Sequence, residues 1–218
     1  MAMLERDQWQ PSAIEGRSVV LRRHRPENLE TVVRWYHDPE LARLTRYQTR
    51  PMSREEVERF FHARLMSADS VAYAIHERPS DRLIGVTTFS SLDGDNGSAL
   101  FHITIGERDA WGRGHGTETA AMMLKHAFER LELHRVGLSV FSFNERAIRS
   151  YVKAGFVEEG RLREAILRDG RYWDEVLMGS LRTDWLRAST ARTRSDEAGP
   201  DASPAAGGTR VAATAGAD

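Results

Sequence analysis

Cysteine is absent from this sequence of 218 residues, and several kinds of chemistry are absent with it. Disulfide bonds, thiolate nucleophiles and cysteine-ligated zinc are all excluded. Because disulfides are rare in the cytoplasm, a chain without cysteine fits a cytoplasmic protein, and we expect that location. The first residues are polar and lack the apolar core of a secretory signal, so no signal peptide is expected.

Long apolar runs and an excess of one charge sign are also missing. No apolar stretch approaches the roughly 20 residues that cross a membrane, so no membrane partner is expected. Lysine and arginine number 31 against 32 acidic residues, which gives a formal net charge of -1. Nucleic-acid-binding domains are commonly basic, so a nucleic-acid partner is not expected either. The eight histidines show no ligand-pair spacing beside carboxylates, and we expect no metal.

Hydrophobic periodicity divides the first half of the chain into helices followed by strands. The predicted elements are a strand at 19–21, helices at 26–38 and 53–65, and strands at 71–75, 83–89 and 99–105. Asp38-Pro39 ends the first helix, and Ser53 with Glu56 forms a capping box at the start of the second. Turn-forming residues separate the three strands, which predicts antiparallel hairpins.

The second half alternates between the two kinds of element. A helix that ends near Leu131 is followed by a strand at 136–141, a helix at 144–155, and a hairpin of strands at 156–166 and 172–181. Because a helix separates the strands at 99–105 and 136–141, we expect them to be parallel with a right-handed crossover. From Ser189 the composition shifts to Ser, Thr, Ala, Gly and Pro, which predicts a disordered tail at 189–218.

Three glycines, Gly112, Gly114 and Gly116, alternate with other residues where a helix must begin. Glycine allows a tight turn and a close approach of backbone N–H groups to a ligand. The first N–H groups of a helix lack intrahelical partners, and the helix dipole adds positive charge, so this turn is suited to phosphate. The spacing does not match the dinucleotide fingerprint GxGxxG, and Gly116 is not followed by the Lys-Ser/Thr of a P-loop.

Several motifs together resemble the GNAT acetyltransferase superfamily. They are Trp111-Gly-Arg-Gly-His-Gly116-Thr-Glu118, Asn144-Glu-Arg-Ala-Ile148, Tyr151-Val-Lys-Ala-Gly-Phe156, Trp35-Tyr-His-Asp-Pro-Glu40 and Asp169-Gly-Arg171. The chain is most similar to the branch of the RimJ/RimL protein acetyltransferases and the spermidine acetyltransferases. The resemblance covers 17–186 and implies a single α/β domain with a mixed, mostly antiparallel sheet of about seven strands flanked by about four helices.

The resemblance implies acetyl-CoA as co-substrate and no metal. Its pyrophosphate would lie on the backbone of the glycine turn, and its pantetheine arm along the open edge of the strand that contains Ile103. The implied cofactor-binding residues are Ile103, Thr104, Ile105, Trp111, Gly112, Arg113, Gly114, His115, Gly116, Thr117, Asn144 and Arg146. We expect His115 to be exposed within the turn.

The resemblance also implies direct transfer of an acetyl group to an amine in a ternary complex. Tyr151 matches the position whose hydroxyl protonates the departing CoA thiolate. Without the resemblance, the favoured interpretation of Asn144 and Tyr151 is a helix cap and a core tyrosine, and the resemblance reverses that preference. Glu107, His102 and Glu175 are the candidates for the general base, and a water chain is the alternative.

The acceptor is expected to be an amine, either the N-terminus of a protein or peptide or a small free molecule. Its implied binding residues are Trp35, Tyr36, Tyr47, His102 and Glu175. For Trp35 and Tyr36 the competing interpretation is a place in the helix core. A non-catalytic CoA-binding sensor or partner module is the alternative function, and a nucleotide-binding dehydrogenase is a weaker one. We expect a monomer or a homodimer.

Overall fold

The structure, a computed structural model, describes residues 9–67 and 70–197, and it describes side chains as far as residue 190. The chain forms two compact units. The first ends at Trp185 and contains the sheet, and the second begins at Leu186. The described part of the second unit is the remainder of a helix that ends at Glu197.

The described residues form one sheet of eight strands in the order β1-β2-β3-β4-β5-β6-β8-β7. The strands are β1 Ala13–Glu15, β2 Val19–Arg22, β3 Val71–Glu77, β4 Arg82–Asp93, β5 Ser98–Ile105, β6 Arg135–Phe141, β7 Val157–Arg168 and β8 Arg171–Leu181. Every neighbouring pair is antiparallel except β5 and β6. The predicted hairpins and the single parallel crossover are therefore confirmed.

The described part of the chain contains six α-helices. They are α1 Leu29–Tyr36, α2 Pro39–Thr45, α3 Arg54–Phe60, α4 His115–Glu129, α5 Glu145–Ala154 and α6 Arg182–Glu197. A π-helical turn, Phe61–Leu65, continues α3. The predicted fold class is confirmed, although the structure has one more strand and two more helices than the sequence indicated. None of the described helices is both long and apolar enough to cross a membrane.

Capping residues set several of these boundaries. Asp38 ends α1 as predicted, but its side chain also accepts hydrogen bonds from the N–H groups of Glu40 and Leu41 and so begins α2. The capping box of Ser53 and Glu56 is present at the start of α3. Gly155, with φ of 113°, ends α5 in the left-handed conformation that glycine adopts readily.

The predicted tail at 189–218 begins inside a helix. Residues 189–197 belong to α6, so this part of the prediction differs from the structure, and 198–218 lies outside the described residues. The reason is continuity: a helix already started at Arg182 adds one hydrogen bond for each residue it orders, so polar residues extend it at little cost. Composition alone does not reveal such an extension.

Two apolar cores lie on the two faces of the sheet. Strand alternation in β3 divides its side chains, with Tyr73 in the core beneath α4 and Ala72 in the core beneath α1 and α3. The first core includes Leu124 and Phe128 of α4, and the second includes Phe61. Because helices cover both faces, the central strands are buried on both sides.

The parallel pair β5 and β6 remains paired over only a short stretch. Ser98 to Leu100 lie opposite Arg135 to Gly137, and no pairing follows further along the two described strands. β5 continues to Ile105, and β6 continues to Phe141 beside β8. The sheet therefore opens between the C-terminal parts of these two strands.

Candidate active site

A cleft of about 800 Å³ lies where β5 and β6 separate. Its lining includes residues of both sheet faces. The glycine turn and α5 supply one side, and the end of α1, the segment after α2 and the π-helical turn supply the other. Such an opening exposes strand-edge backbone and a helix N-terminus to one space, which suits the binding of two substrates next to each other.

The glycine turn has the conformation that its composition predicts. Gly112 and Gly114 have φ of 74° and 88°, and a Cβ added at either would meet no atom within 4 Å. Gly114 is the N-cap of α4 and no side chain caps it. The first N–H groups of α4 are therefore available to an anion beside an open backbone, and they fit a phosphate.

His115 is buried rather than exposed, and the sequence prediction was wrong on this point. Its side chain packs beneath the turn, with Nδ1 3.2 Å from the Ser18 hydroxyl and Nε2 3.7 Å from the Glu77 carboxylate. Burial lowers the pKa of His115, and the charge of Arg113 acts in the same direction. The side chain supports the turn from behind.

Arg113 points away from the cleft, in contrast to its neighbours in the turn. Its guanidinium lies 3.4 Å from Glu77, and it is not among the residues that line the cleft. Trp111 does line the cleft, and its indole N–H donates to the Ile105 carbonyl at 2.7 Å. The guanidinium of Arg146 lies over the Trp111 ring at 4.1 Å, so the turn and α5 are joined by a cation–π contact.

The edge of β5 that faces the opening carries backbone groups that pair with no other described strand, although the Ile105 carbonyl already accepts from the Trp111 indole. The Gly106 N–H donates to the Ile84 carbonyl of β4. Because the register between β4 and β5 is regular here, the backbone N–H and C=O groups of Thr104 and His102 also point toward β4. Alternation then directs the N–H and C=O groups of Ile103 and Ile105 to the side where β6 has departed. These two residues can offer hydrogen bonds to an extended, amide-bearing ligand.

Asn144 caps α5, as the simpler interpretation of its position predicts. Its Oδ1 accepts from the Ala147 N–H at 3.3 Å, and its Nδ2 donates to the Leu44 carbonyl at 3.4 Å. It also lines the cleft. Thr117 at the start of α4 and Ser150 in the middle of α5 share a hydrogen bond of 2.8 Å, so the two helices that border the cleft are connected.

Tyr151 lies on α5 and lines the same cleft as the glycine turn. Its ring packs edge-on against Phe101 and Phe156, with centroid distances of 6.3 and 5.9 Å. Burial raises the pKa of Tyr151 to about 12, because the phenolate would lose its hydration among apolar rings. Among the described residues its hydroxyl has no hydrogen-bond partner. The group therefore carries a proton at neutral pH and can donate it.

His102 lines the cleft from β5, on the face opposite Tyr151. Its Nε2 lies 2.7 Å from the Ser90 hydroxyl. Although His102 remains exposed, partial desolvation lowers its pKa, and the positive charge of Arg64 lowers it further. The imidazole is therefore neutral at pH 7 and can accept a proton.

Glu107 and Trp35 do not line the cleft, contrary to the sequence prediction. The Glu107 carboxylate accepts hydrogen bonds from the Arg34 guanidinium and, at 3.0 Å, from the Trp35 indole. Trp35 is 2% exposed and belongs to the core beneath α1. A carboxylate held by two donors outside the cleft is poorly placed to take a proton from an amine inside it.

Glu175 is also absent from the cleft lining and is 5% exposed. The hydroxyl of Tyr47, which does line the cleft, donates to it. Tyr36 lines the cleft beside Phe60, with ring centroids 5.1 Å apart, and burial raises its pKa to about 12. Of the predicted acceptor residues, the structure therefore brings Tyr36, Tyr47 and His102 together.

Four further lining residues were not predicted from the sequence: Arg46, Phe60, Arg64 and Ser90. Arg46 and Arg64 belong to segments that read as ordinary polar surface, and Phe60 reads as part of a helix stripe. Only Ser90 carried a weak signal, since strand alternation places it on the face of β4 that His102 occupies on β5. No described group of three or more His, Asp or Glu side chains could hold a metal ion.

Comparison with known proteins decides the family to which these features belong. The family described as "Acetyltransferase (GNAT) domain" matches residues 18–157. The chain belongs to the GNAT acetyltransferase family. It is accordingly an acyltransferase, and the resemblance carried by the glycine turn and the α5 motifs is confirmed. GNAT members transfer an acetyl group from acetyl-CoA to an amine, which accounts in general terms for a phosphate-type turn beside an open strand edge.

Individual relatives of this GNAT protein differ in their acceptors. SPbeta prophage-derived uncharacterized N-acetyltransferase YokL of Bacillus subtilis is 26% identical over 78% of this chain and 93% of its own length. Spermidine N(1)-acetyltransferase of Vibrio cholerae is 33% identical over 52% of this chain and 65% of its own length. Ribosomal protein uS5 alanine N-acetyltransferase of Escherichia coli is 24% identical over 52% of this chain and 58% of its own length.

A solved structure agrees with this assignment at the level of the fold. The crystal structure of spermidine N-acetyltransferase from Vibrio cholerae, in complex with CoA and spermine, has a TM-score of 0.69 with 24% identity. The match covers 78% of this chain and 98% of that one. The likeness shows that the GNAT fold extends over nearly the whole first unit.

Proposed function

We propose that this protein transfers the acetyl group of acetyl-CoA to a primary amine by direct attack, with Tyr151 as the general acid. The observation that carries the proposal is that one cleft joins the glycine turn, the open edge of β5 and the Tyr151 hydroxyl. The turn would hold the pyrophosphate, and the backbone of Ile103 and Ile105 would hold the pantetheine arm. The acceptor is a protein N-terminus or a small amine.

Each group has one task in the transfer. His102 takes a proton from the acceptor ammonium, and the neutral nitrogen then attacks the thioester carbonyl carbon to form the new C–N bond. A backbone N–H of β5 stabilises the oxyanion that forms on the carbonyl oxygen. When the C–S bond breaks, the Tyr151 hydroxyl gives its proton to the departing sulfur, and the second proton that the attacking nitrogen loses restores the phenol through solvent. Holding the amine and the thioester together supplies much of the remaining acceleration.

The test is thiol release from acetyl-CoA, measured with the full chain and a panel of small amines and N-terminal peptides. We expect release above the amine-free background with at least one class of acceptor. A thermal shift with CoA, measured in parallel, separates the alternatives. Strong stabilisation by CoA with no release across the panel would indicate a non-catalytic CoA-binding module instead, because binding would then be present without chemistry.

A further inference from the structure

The acceptor side of the cleft is the face opposite α4 and α5. Alternation along β5 directs His102 and Thr104 to this face, whereas Phe101 belongs to the core beneath α4. His102 contacts Ser90 there, and a small void joins Thr104 to Tyr36 and Arg46. An acceptor amine that approaches His102 therefore meets the side chains of this face first. They are Tyr36, Arg46, Phe60, Arg64 and Ser90.

Among the described residues, the lysine, arginine, aspartate and glutamate side chains that line the cleft are all cationic. The described residues that line it include five lysine and arginine side chains and no aspartate or glutamate: Arg46, Arg64, Arg146, Arg149 and Lys153. The last three belong to α5, where Arg146 covers Trp111 and Arg149 pairs with Glu145 at 3.0 Å. Asp69, which is near the lining residues Arg64 and Ser70 in sequence, lies outside the described residues. A polyamine, cationic at each nitrogen, would meet like charges here.

Arg46 is half-buried and has no carboxylate partner among the described residues. Its guanidinium lies 5.8 Å from the centre of the Tyr36 ring, and Nη2 donates to the Tyr36 carbonyl at 3.3 Å. A guanidinium has five N–H donors, so most of its capacity remains available. A cation that has lost part of its water without gaining a counter-ion is costly, and a bound anion would offset that cost.

Hydrogen bonds from a buried arginine hold the backbone at Arg46 in place. The buried Arg168 of β7 donates to the carbonyl of Arg46 at 2.7 Å and to that of Tyr47 at 3.3 Å. These bonds fix the segment that presents Arg46 to the cleft, so less ordering is needed when an anion binds. Arg64 lines the same cleft from the π-helical turn, a kind of irregularity that is frequent at functional sites.

We propose that the acceptor is a small amine that also carries an anionic group, a carboxylate, phosphonate or phosphinate, which Arg46 and Arg64 bind. The amine would then lie toward His102, and Tyr36 with Phe60 would line the space around the short linker. The fork of a guanidinium matches such oxyanions with paired hydrogen bonds. This inference rests on the proposed acetyl transfer, and it narrows the acceptor class.

Matched amines test the inference in the thiol-release assay with the full chain and acetyl-CoA. The set contains free amino acids, their carboxamides, and the corresponding decarboxylated amines, together with spermidine and peptides with an acidic second residue. We expect kcat/KM for the free acids to exceed that for their carboxamides by roughly 100-fold, because the carboxamide leaves the guanidinium groups without a counter-ion.

Variants assign the effect to the two arginines. Arg46→Met and Arg64→Met should each lower kcat/KM for the free acids by about 10- to 100-fold, mainly through KM, and barely change it for the carboxamides. For Arg46→Lys we expect a kcat/KM for the free acids between those of Arg46→Met and the unchanged protein, because lysine retains the charge but lacks the paired donors of a guanidinium. Arg59→Met, an exposed change on α3 outside the cleft lining, is the matched control.

The outcomes separate the two proposals. Turnover of spermidine or carboxamides at the rate of the free acids, unaffected by Arg46→Met, would overturn the anionic acceptor and leave acetyl transfer standing. Turnover confined to acidic peptides would replace the small acceptor by a peptide one. CoA binding without turnover of any amine would overturn both.

Discussion

The hydroxyl of Tyr151 retains its proton because two phenylalanine rings pack against the phenol. Phe101 and Phe156 surround the phenol, and they also contact each other with centroids 5.9 Å apart. The same burial that raises its pKa to about 12 therefore holds the ring in one orientation. A phenol with so high a pKa is a weak acid toward water, but a thiolate that forms in the same dry space is a strong acceptor.

Replacing Tyr151 with phenylalanine tests its role as general acid. Tyr151→Phe removes the proton donor and preserves the packing, so kcat should fall by about 100-fold while KM for acetyl-CoA stays within a few-fold. Steady-state thiol release measures both constants. Tyr172→Phe, an exposed change in β8, should leave both unchanged. If Tyr151→Phe turns over normally, another group protonates the sulfur.

At the scale of elements, the glycine turn depends on its support as much as on its own residues. The Glu118 carboxylate, one turn into α4, accepts hydrogen bonds from the backbone N–H and hydroxyl of Ser18. Burial raises the pKa of Glu118, but these hydrogen bonds outweigh it and the net pKa is below the usual value. Together with His115, this network attaches the start of α4 to the beginning of β2.

A bulky side chain at Gly114 tests the phosphate assignment of the turn. Gly114→Val adds a branched side chain in the open space before α4 and should weaken CoA binding by at least 10-fold, as measured by calorimetry. Gly170→Val is a close control, since Gly170 also has a positive φ, of 74°, with open space around it, in the β7–β8 hairpin outside the cleft lining. Both variants should lose stability, and only the first should lose affinity. If Gly114→Val and Gly170→Val bound CoA with equal affinity, the turn would be excluded as the phosphate site.

For the whole molecule, two buried histidines connect stability to pH. Burial lowers the pKa of His24 and of His126 to about 4, although His24 and His126 each have a backbone partner that opposes the shift. An unfolded chain has histidine pKa values near 6.5, so it binds more protons than the folded protein between pH 6.5 and 4. The contribution of these two histidines to the free energy of unfolding is therefore fully present above pH 6.5, and it declines as the pH falls through this range.

Urea unfolding at pH 7.5 and pH 5 measures this decline. We expect each of the two histidines to contribute a loss on the order of 2 kcal/mol between these values. His126→Gln should be less stable at pH 7.5, yet it should lose less on acidification, because glutamine takes up no proton. His62→Gln, at an exposed position, should retain the original pH dependence. An unchanged loss in His126→Gln would mean that other groups cause the acid sensitivity.

Local patterns in the sequence were sufficient for most of the elements and for the family. Strand alternation, the Ser53 capping box and the order of strands around the glycine turn depend on near neighbours along the chain, and the structure agrees with them. The motifs at Trp111 and Tyr151 indicated the acyltransferase family for the same reason. The strand β1 and the helices α2 and α6 were not predicted, and α6 was missed because helix extension depends on the preceding ordered turn rather than on composition.

Only the folded chain decided which polar groups share the cleft. Glu107 and Glu175 resembled general bases in the sequence, but tertiary contacts with Arg34 and Tyr47 occupy them outside the cleft lining. Arg46 resembled ordinary surface until β7 and α1 brought Arg168 and Tyr36 against it. The reason is physical: burial and pairing of a charge depend on groups distant in sequence, and these determine whether it can bind a substrate.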